Sequence, residues 1–352
     1  MKLGVLLNAE YPAHELADLG RLCEDLGYDQ VWYTDIRLFR ECYLGLAAIA
    51  AATRRVHLGP GVTDPYSRHP AVTASTIATL DELSGGRALL GLGVGSTGFR
   101  ELGIRAVQPV AALRETVDVV RRLLRGEEVT VDGKIVSLAA GKLQFRPVRT
   151  HVPIYFATQG ARITELAGEV ADGIMIPNTA LPSAVDFYLD GVRRGAGKAG
   201  RSLDEVDIAL RFEACISDDQ AVAEAVMRRR VAARVAASYG HWDYLERLGV
   251  ALPEEFVRIA AGGDLRRAAD AGHLLPREAV DRMVLAGDPG HVAAQLTPAL
   301  RPGVSRLIIR PHAAPGHPIG EVLTRFVSEV LPRVRQEVLG QTGQAHVSTT
   351  GG

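Results

Sequence analysis

The sequence predicts an α/β fold, a single (β/α)8 TIM-type barrel, on three observations. Short apolar runs alternate with longer stretches of helical periodicity through most of the 352 residues. The alternation yields eight strands with a helix after each, the number that closes such a barrel. No GxGxxG motif opens the first strand-to-helix turn. The alternative is an open, doubly wound sheet, but that fold seldom adds units to this length.

The elements of the first half follow one another regularly. Helical spacing of Val110, Leu113 and Val117 predicts the fourth helix, which begins at Pro109. A hairpin is expected after it, because Asp132-Gly133 is a favoured turn dipeptide. The predicted strands are 3–7, 30–34, 56–62 and 88–93, and the first three predicted helices are about 13–27, 41–53 and 70–83.

The second half continues the pattern with one interruption. Strands are predicted at 154–157, 173–176, 206–212 and 306–310, and helices at 161–169, 182–199, 218–239 and about 317–339. The segment 240–275 breaks the alternation and predicts a helical insertion before the eighth strand. We therefore expect one domain over 1–340, followed by a small, polar and disordered tail over 341–352.

Composition excludes several classes of partner. The formal net charge is −1 and the pI is about 6.8, which favours neither nucleic acid nor an anionic membrane. Cys23, Cys42 and Cys215 lie far apart, so we expect no structural disulfide and a reducing compartment. With no apolar run of membrane-spanning length and no signal peptide, we expect a cytoplasmic protein.

Candidate functional residues follow the predicted strands, since barrel enzymes build their sites at strand carboxyl ends. Glu10 and Asp35 are candidates for proton handling, against the alternative of helix or turn caps. His69 is a candidate proton donor because its ordinary pKa is near neutrality, although a histidine bonded to backbone is an equal alternative. Glu213 and His312 end the seventh and eighth strands.

Four motifs occur in order and together resemble the bacterial luciferase-like superfamily of flavin and deazaflavin enzymes, nearest to its methylenetetrahydromethanopterin reductase group. They are VTDPYSRHP (62–70), TLDELSGGR (79–87), LGLGVG (90–95) and LAGEVADG (166–173). The resemblance runs from Met1 to about residue 335. It implies a barrel that binds coenzyme F420, or less often FMN, across the carboxyl-terminal mouth.

The resemblance also implies which residues bind the cofactor. A non-prolyl cis peptide behind the ring maps onto Gly61 and Val62. The loop before the fifth predicted helix would bind the cofactor phosphate through exposed N–H groups and the positive end of the helix, and the turn around Gly95 is a second candidate. Asp64 has two interpretations, a hydrogen bond to the ring or a cap of its own turn. The cofactor-binding candidates are Asp35, Gly61, Val62, Thr63, Asp64, Gly95, Ser96, Thr158, Gln159, Gly160 and Ala161.

Two positions depart from the pattern of the family. Relatives usually end the second strand in Asp-His, whereas this chain has Asp35-Ile36. Relatives often have an acid near Ser96. Neither isoleucine nor serine relays a proton at neutral pH, so we expect a different substrate or a proton donor placed elsewhere.

We therefore expect a reductase that uses reduced F420 to transfer a hydride to a C=N or activated C=C bond of a small or medium substrate. The alternatives are an FMN-dependent monooxygenase and a flavin-binding protein without turnover. No metal-ligand spacing and no GxSxG elbow is present in the sequence. A homodimer is expected from relatives, and composition is compatible with a role in secondary metabolism.

Overall fold

The computed structural model describes residues 1–95 and 98–338. Eleven strands are found in these residues: β1 Lys2–Leu7, β2 Gln30–Tyr33, β3 His57–Pro60, β4 Leu90–Leu92, β5 Val129–Asp132, β6 Ser137–Gly141, β7 Ile154–Ala157, β8 Gly173–Pro177, β9 Asp207–Ile216, β10 Val284–Gly287 and β11 Arg306–Pro311. The tail predicted to be disordered, 341–352, lies outside the described residues.

The helices alternate with the strands in the first two thirds of the chain and cluster afterwards. They are α1 Ala13–Asp25, α2 Cys42–Ala52, α3 Pro70–Ser84, α4 Pro109–Leu124, α5 Ala161–Val170, α6 Pro182–Lys198, α7 Gln220–Ala237, α8 Asp243–Arg247, α9 Glu254–Ala261, α10 Leu265–Asp270, α11 Arg277–Asp281, α12 Pro289–Leu296 and α13 Ile319–Arg325. A π-helical segment, Phe326–Val330, follows α13 and leads into further helix over 331–338.

The described chain divides into two compact units. The barrel unit comprises Met1–Pro177, Phe187–Arg211 and Gly303–Arg310. The second unit comprises Asn178–Asp186, Phe212–Pro302 and the residues from Pro311 onward. The helical segment predicted at 240–275 lies in the second unit and contains α8, α9 and α10.

Eight strands close the barrel, which confirms the predicted fold class. Their order is β3-β2-β1-β11-β9-β8-β7-β4. The pairs β3–β2, β2–β1, β1–β11, β9–β8, β8–β7 and β7–β4 are parallel. The two ends of this order meet through bridges from Leu58 to Ala88 and from Thr63 to Leu92. The Thr63 N–H donates to the Gly91 carbonyl at 3.0 Å. The sheet therefore has no open edge between β3 and β4.

Apolar side chains contributed by successive strands fill the barrel. Trp32 and Tyr155 pack edge to face, with ring centroids 5.3 Å apart. Their polar atoms are paired: the Trp32 indole donates to Gln30 at 3.0 Å, and the Tyr155 hydroxyl donates to Asp207 at 2.7 Å. These large side chains are thus buried without unpaired polar atoms. The packed set is Leu6, Trp32, Leu89, Tyr155, Met175, Ala209 and Ile308.

Local sequence signals explain where the elements begin and end. Helix α3 begins at Pro70, which needs no hydrogen-bond acceptor there, and ends at Gly85, where φ is +70°. The antiparallel β5–β6 hairpin forms after Asp132 as predicted. Its turn is held by Glu115 of α4, whose carboxylate accepts three consecutive backbone N–H groups, starting with Lys134 at 2.9 Å.

The second unit has its own apolar core. Met227 and Val231 of α7 pack with Tyr244 of α8 and Phe256 of α9. Strand β10 pairs in parallel with the carboxyl-terminal half of β9, from Val284 opposite Glu213. Strand β10 and helix α12 were not predicted, and the four residues of β10 are too few to show alternation.

The contact between β3 and the segment before β4 gives a test of barrel closure. A Cβ at position 59 would lie 2.1 Å from the Leu89 carbonyl oxygen, so Gly59→Ala forces two backbone segments apart. We expect a loss of about 3 kcal/mol in the free energy of unfolding, measured by urea denaturation. Gly197→Ala in α6 is the control, since nothing lies within 4 Å of its Cβ position, and it should be neutral or stabilising by up to about 1 kcal/mol. Equal effects of the two substitutions would contradict the close approach.

Candidate active site

A buried ion pair joins the loop after β2 to the loop after β3. The Asp64 side chain is fully buried, and Arg37 donates to its Oδ2. The Asp64 Oδ1 accepts the backbone N–H groups of Tyr66 at 2.8 Å and of Ser67 at 2.7 Å, and the Ser67 hydroxyl donates to Oδ2 at 2.6 Å. Of the two interpretations of Asp64, the cap of its own turn is therefore the one observed. Both oxygens are used within the protein.

The loop after β4 packs onto this ion pair through glycines. Gly95 has φ +63° and Gly98 has φ +81°, a region that favours glycine. A Cβ at position 95 would lie 2.5 Å from the ring of Phe99, and one at position 98 would lie 2.7 Å from the Cβ of Arg37. The Arg37 guanidinium lies over the Phe99 ring at 5.2 Å. Ser96, the other predicted cofactor residue of this loop, lies outside the described residues.

The Gly61–Val62 peptide bond is cis, which confirms the expectation from the family resemblance. Both residues pack closely. A Cβ at position 61 would lie 2.5 Å from Leu6 Cδ1 and 2.9 Å from Trp32 Cβ, and one at Gly93 would lie 2.6 Å from Val62 Cγ2. The bond thus lies between the apolar filling of the barrel and the loop after β4.

Asp35 lies beside Thr63 of the loop after β3, and the pKa of its carboxyl group is shifted. Burial raises the pKa of Asp35, and the neighbouring Asp64 charge raises it further. The Thr63 hydroxyl and the guanidinium groups of Arg37 and Arg68 act in the opposite direction, but the net pKa is raised. Asp35 therefore holds a proton to a higher pH than an exposed aspartate does.

A cavity of about 240 Å³ opens next to Asp35. On one side of it Arg68 pairs with Glu41 at 2.8 Å and lies over the Tyr43 ring at 4.8 Å. Glu41 also caps α2, accepting the Leu44 N–H at 2.8 Å. The cavity is lined by Asp35, Ile36, Arg37, Leu38, Phe39, Arg40, Glu41, Ser67, Arg68, Leu102 and Ile104.

Two predicted catalytic residues lie in less favourable surroundings. The Nδ1 of His69 accepts the Ala71 N–H at 3.1 Å, and its Nε2 lies 3.0 Å from the Ser137 carbonyl, to which it donates. Both ring nitrogens are thus used for capping α3 and for the hairpin, the structural alternative for this histidine. Glu10 follows β1 with an exposed side chain, and its backbone carbonyl accepts from Arg40 at 2.7 Å.

The predicted phosphate loop leads into an uncapped helix. Helix α5 is preceded by Gly160 without a side-chain cap, and its first intrahelical bond runs from the Thr164 N–H to the Gly160 carbonyl at 3.0 Å. The N–H groups of 161–163 precede that bond and so have no carbonyl partner in the helix. The Thr158 oxygen accepts the Gly160 N–H at 2.9 Å, which leaves the Thr158 hydroxyl hydrogen to donate. Gln159 donates to the Pro177 carbonyl at 3.3 Å.

Glu213 and His312, the two candidates at the ends of the seventh and eighth predicted strands, lie in the second unit and contact each other. His312 Nε2 lies 3.0 Å from Glu213 Oε2, both side chains are about 95% buried, and Arg234 lies 4.0 Å from the other oxygen. Both strand-end residues are therefore found in a single buried charge network.

Comparison with known proteins identifies the family. The model of a family described as luciferase-like monooxygenase matches residues 1–306. The chain belongs to this family. The superfamily expected from the four motifs is thereby confirmed.

Proteins that match over nearly the whole chain include two reductases and a dehydrogenase. The 5,10-methylenetetrahydromethanopterin reductase of Methanolobus tindarius is 35% identical over 323 residues, 91% of this chain and 95% of that protein. An F420-dependent glucose-6-phosphate dehydrogenase of Nakamurella multipartita is 30% identical and covers 95% of this chain and 97% of that protein. The structure of the coenzyme F420 dependent tetrahydromethanopterin reductase from Methanopyrus kandleri is 29% identical, with a TM-score of 0.83 over 95% of this chain and 99% of that chain.

Sequence reasoning missed three residues that shape the site. Arg37, Arg40 and Leu38 lie in the loop after β2, which the prediction left without assigned roles. An available signal was the segment Arg37-Leu38-Phe39-Arg40, in which two large apolar residues stand between two arginines directly after a barrel strand.

The raised pKa of Asp35 predicts a pH-dependent stability difference. An acid whose pKa is higher in the folded than in the unfolded protein favours folding below its ordinary pKa and loses that contribution as pH rises through the folded-state value. Asp35→Asn does not titrate, so its melting temperature relative to the wild type should increase as pH rises from about 3 to about 8. Asp190→Asn is the control, because Asp190 is exposed and an exposed ion pair such as that with Arg193 contributes little to stability, so the melting temperature should change little. A flat profile for Asp35→Asn would contradict the assigned shift.

Proposed function

We propose that this chain is an F420-dependent reductase that transfers a hydride to a C=N or activated C=C bond of a small or medium substrate. The observation that carries the proposal is the likeness, over 95% of the chain, to the coenzyme F420 dependent tetrahydromethanopterin reductase from Methanopyrus kandleri. A second relative at 30% identity is also named as F420-dependent. Membership in the family alone allows both F420 and FMN.

The residues present fit the anionic part of this cofactor. The start of α5 offers backbone N–H donors that lack carbonyl acceptors in the helix, together with the Thr158 hydroxyl and the positive end of the helix dipole. Arg162 is exposed in the first turn, so the local charge is positive. We assign the phosphate of F420 to Thr158, Gln159, Gly160 and Ala161.

The ring is assigned to the loops after β2, β3 and β4. Gly61 and Val62 would form the wall behind the ring, with Gly61 packed so closely against Leu6 and Trp32 that it has no room for a Cβ. Asp64 supports this wall through its turn and its ion pair rather than through a free carboxylate oxygen. Reduced F420, when bound, supplies the hydride.

Asp35 holds the proton that such a reduction consumes. Adding a hydride to a C=N or activated C=C bond leaves negative charge on nitrogen or on the activating group, and a proton must neutralise it. Asp35 lines the cavity, and its raised pKa keeps a larger protonated fraction near neutrality than an exposed aspartate has. The half-buried Ile36 lines the same cavity and adds an apolar side chain next to Asp35 in sequence.

The second candidate function is an FMN-dependent monooxygenase, which the description of the matching family favours. Both cofactors carry a phosphate and a flat tricyclic ring, so the α5 site and the Gly61–Val62 wall suit either of them. The two functions differ in what reacts with the reduced cofactor, which is molecular oxygen only for the flavin. We also propose a cytoplasmic homodimer, for which size-exclusion chromatography with light scattering measures the mass.

A titration and a turnover assay test the proposal. Purified protein should bind oxidised F420 at least about tenfold more tightly than FMN, followed by fluorescence. Reduced F420 should then be oxidised without oxygen when a cyclic imine is added, and Asp35→Asn should lower kcat by about 100-fold while leaving the Kd of F420 within a few-fold. Asp190→Asn is the control and should retain kcat.

Preference for FMN together with oxygen consumption would contradict the reductase and favour the monooxygenase. Binding of neither cofactor would contradict both. Unchanged kcat in Asp35→Asn would contradict the proton assignment while leaving the cofactor assignment in place.

A further inference from the structure

The cavity beside Asp35 has an exposed apolar rim. Leu38 is 71% exposed, Phe39 is 52% exposed and Leu102 is 47% exposed. All three line the same cavity, together with the less exposed Ile104. Exposed apolar residues are ordinary when scattered, but a group of them around one concave site indicates a binding surface.

The loop that carries this rim has an unfavourable backbone conformation at one residue. Leu38 has φ +67°, in the left-handed region that leucine seldom adopts. The turn is closed by a hydrogen bond from the Phe39 N–H to the Ile36 carbonyl at 3.2 Å. Residues such as asparagine suit such a turn better, so a leucine at this position is better explained by contact with a ligand than by the turn itself.

Charge pairing leaves one cation at the rim. Arg37 pairs with Asp64, and Arg68 pairs with Glu41. Arg40 donates to a neutral acceptor, the Glu10 backbone carbonyl, and no carboxylate of the described residues forms an ion pair with it. Its guanidinium has five N–H donors in a planar fork that matches a carboxylate.

The size of the cavity limits the ligand. A cavity of about 150 Å³ accommodates benzene, and drug-sized ligands occupy about 300 to 1,000 Å³. At about 240 Å³ this cavity fits a molecule of one or two rings.

We propose that this cavity binds a one- or two-ring apolar molecule that carries a carboxylate, with the carboxylate on Arg40 and the rings against Leu38, Phe39 and Leu102. If the bound molecule is the substrate, the proposal rests on the proposed function, and the hydride acceptor is an imine or activated alkene that carries a carboxylate. The binding of such a molecule does not depend on which cofactor the protein uses.

Calorimetric titration with two matched probes tests the carboxylate. 2-Naphthoate and 2-naphthamide share the rings and differ in charge. Wild-type protein should bind 2-naphthoate at least about tenfold more tightly than 2-naphthamide, because a charged hydrogen-bonded pair contributes more than a neutral one. Arg40→Gln should reduce this ratio to within about twofold. Arg54→Gln is the matched control, since Arg54 is also exposed and donates to the backbone carbonyls of Ala51 and Thr53, and it should retain the ratio.

A second variant tests the apolar rim. Phe39→Ala should weaken both probes by a similar factor of about five to tenfold, because it removes ring contact and no charge. Equal binding of the two probes to the wild type, an unchanged ratio in Arg40→Gln, or unchanged affinities in Phe39→Ala would each overturn the proposed site.

A turnover assay with the wild-type protein distinguishes this proposal from the proposed function. Oxidation of reduced F420 is measured with 3,4-dihydroisoquinoline and its 1-carboxylate, and the carboxylate should have the higher kcat/KM. If both probes bind as expected but neither imine is reduced, the reductase is contradicted and the carboxylate site remains. If the uncharged imine is reduced equally well and 2-naphthoate shows no preference, the carboxylate site is contradicted and the reductase remains.

Discussion

The ion pair between Arg37 and Asp64 determines the arrangement of the candidate site. Asp64 is fully buried and arranges the turn after β3, while Arg37 belongs to the loop after β2. The loop after β4 then packs onto Arg37 through Gly98 and onto Asp64 and Phe99 through Gly95. Removing one member of a buried pair leaves an uncompensated charge, which costs about 3 to 5 kcal/mol. Three loops therefore depend on one interaction, and the cavity beside Asp35 depends on those loops.

The raised pKa of Asp35 results from the residues around the Arg37–Asp64 ion pair. Ile36 follows Asp35, and the nearby guanidinium groups are already engaged with Asp64 and Glu41. Burial then dominates over the opposite charges, and the pKa of Asp35 is raised. The chain thus has an aspartic acid with a raised pKa followed by an isoleucine that does not titrate. The loop after β2 lines the cavity with the apolar side chains of Leu38 and Phe39 and with the exposed Arg40.

The sequence was sufficient for the barrel and for part of the site. The eight barrel strands, the hairpin after Asp132 and the cis bond at Gly61 were predicted, because periodicity, turn dipeptides and family motifs are local signals. The ion pair of Asp64 with Arg37 was not, because it joins two loops that are 27 residues apart and no local pattern encodes such a contact. A histidine bonded to backbone was one of the two interpretations of His69, but its contact with the Ser137 carbonyl joins residues 68 positions apart, which no local pattern encodes. Strand β10 was missed because its pairing with β9 decides its structure.

The central claim is that the barrel unit holds F420 with its phosphate at the start of α5 and its ring against Gly61 and Val62. A crystal structure of the complex with oxidised F420 tests it most directly. The account predicts that the phosphate oxygens lie within hydrogen-bond distance of the N–H groups of 161–163 and of the Thr158 hydroxyl, with the ring facing the cavity beside Asp35. A phosphate bound at another loop, or a ring placed away from Gly61 and Val62, would contradict it.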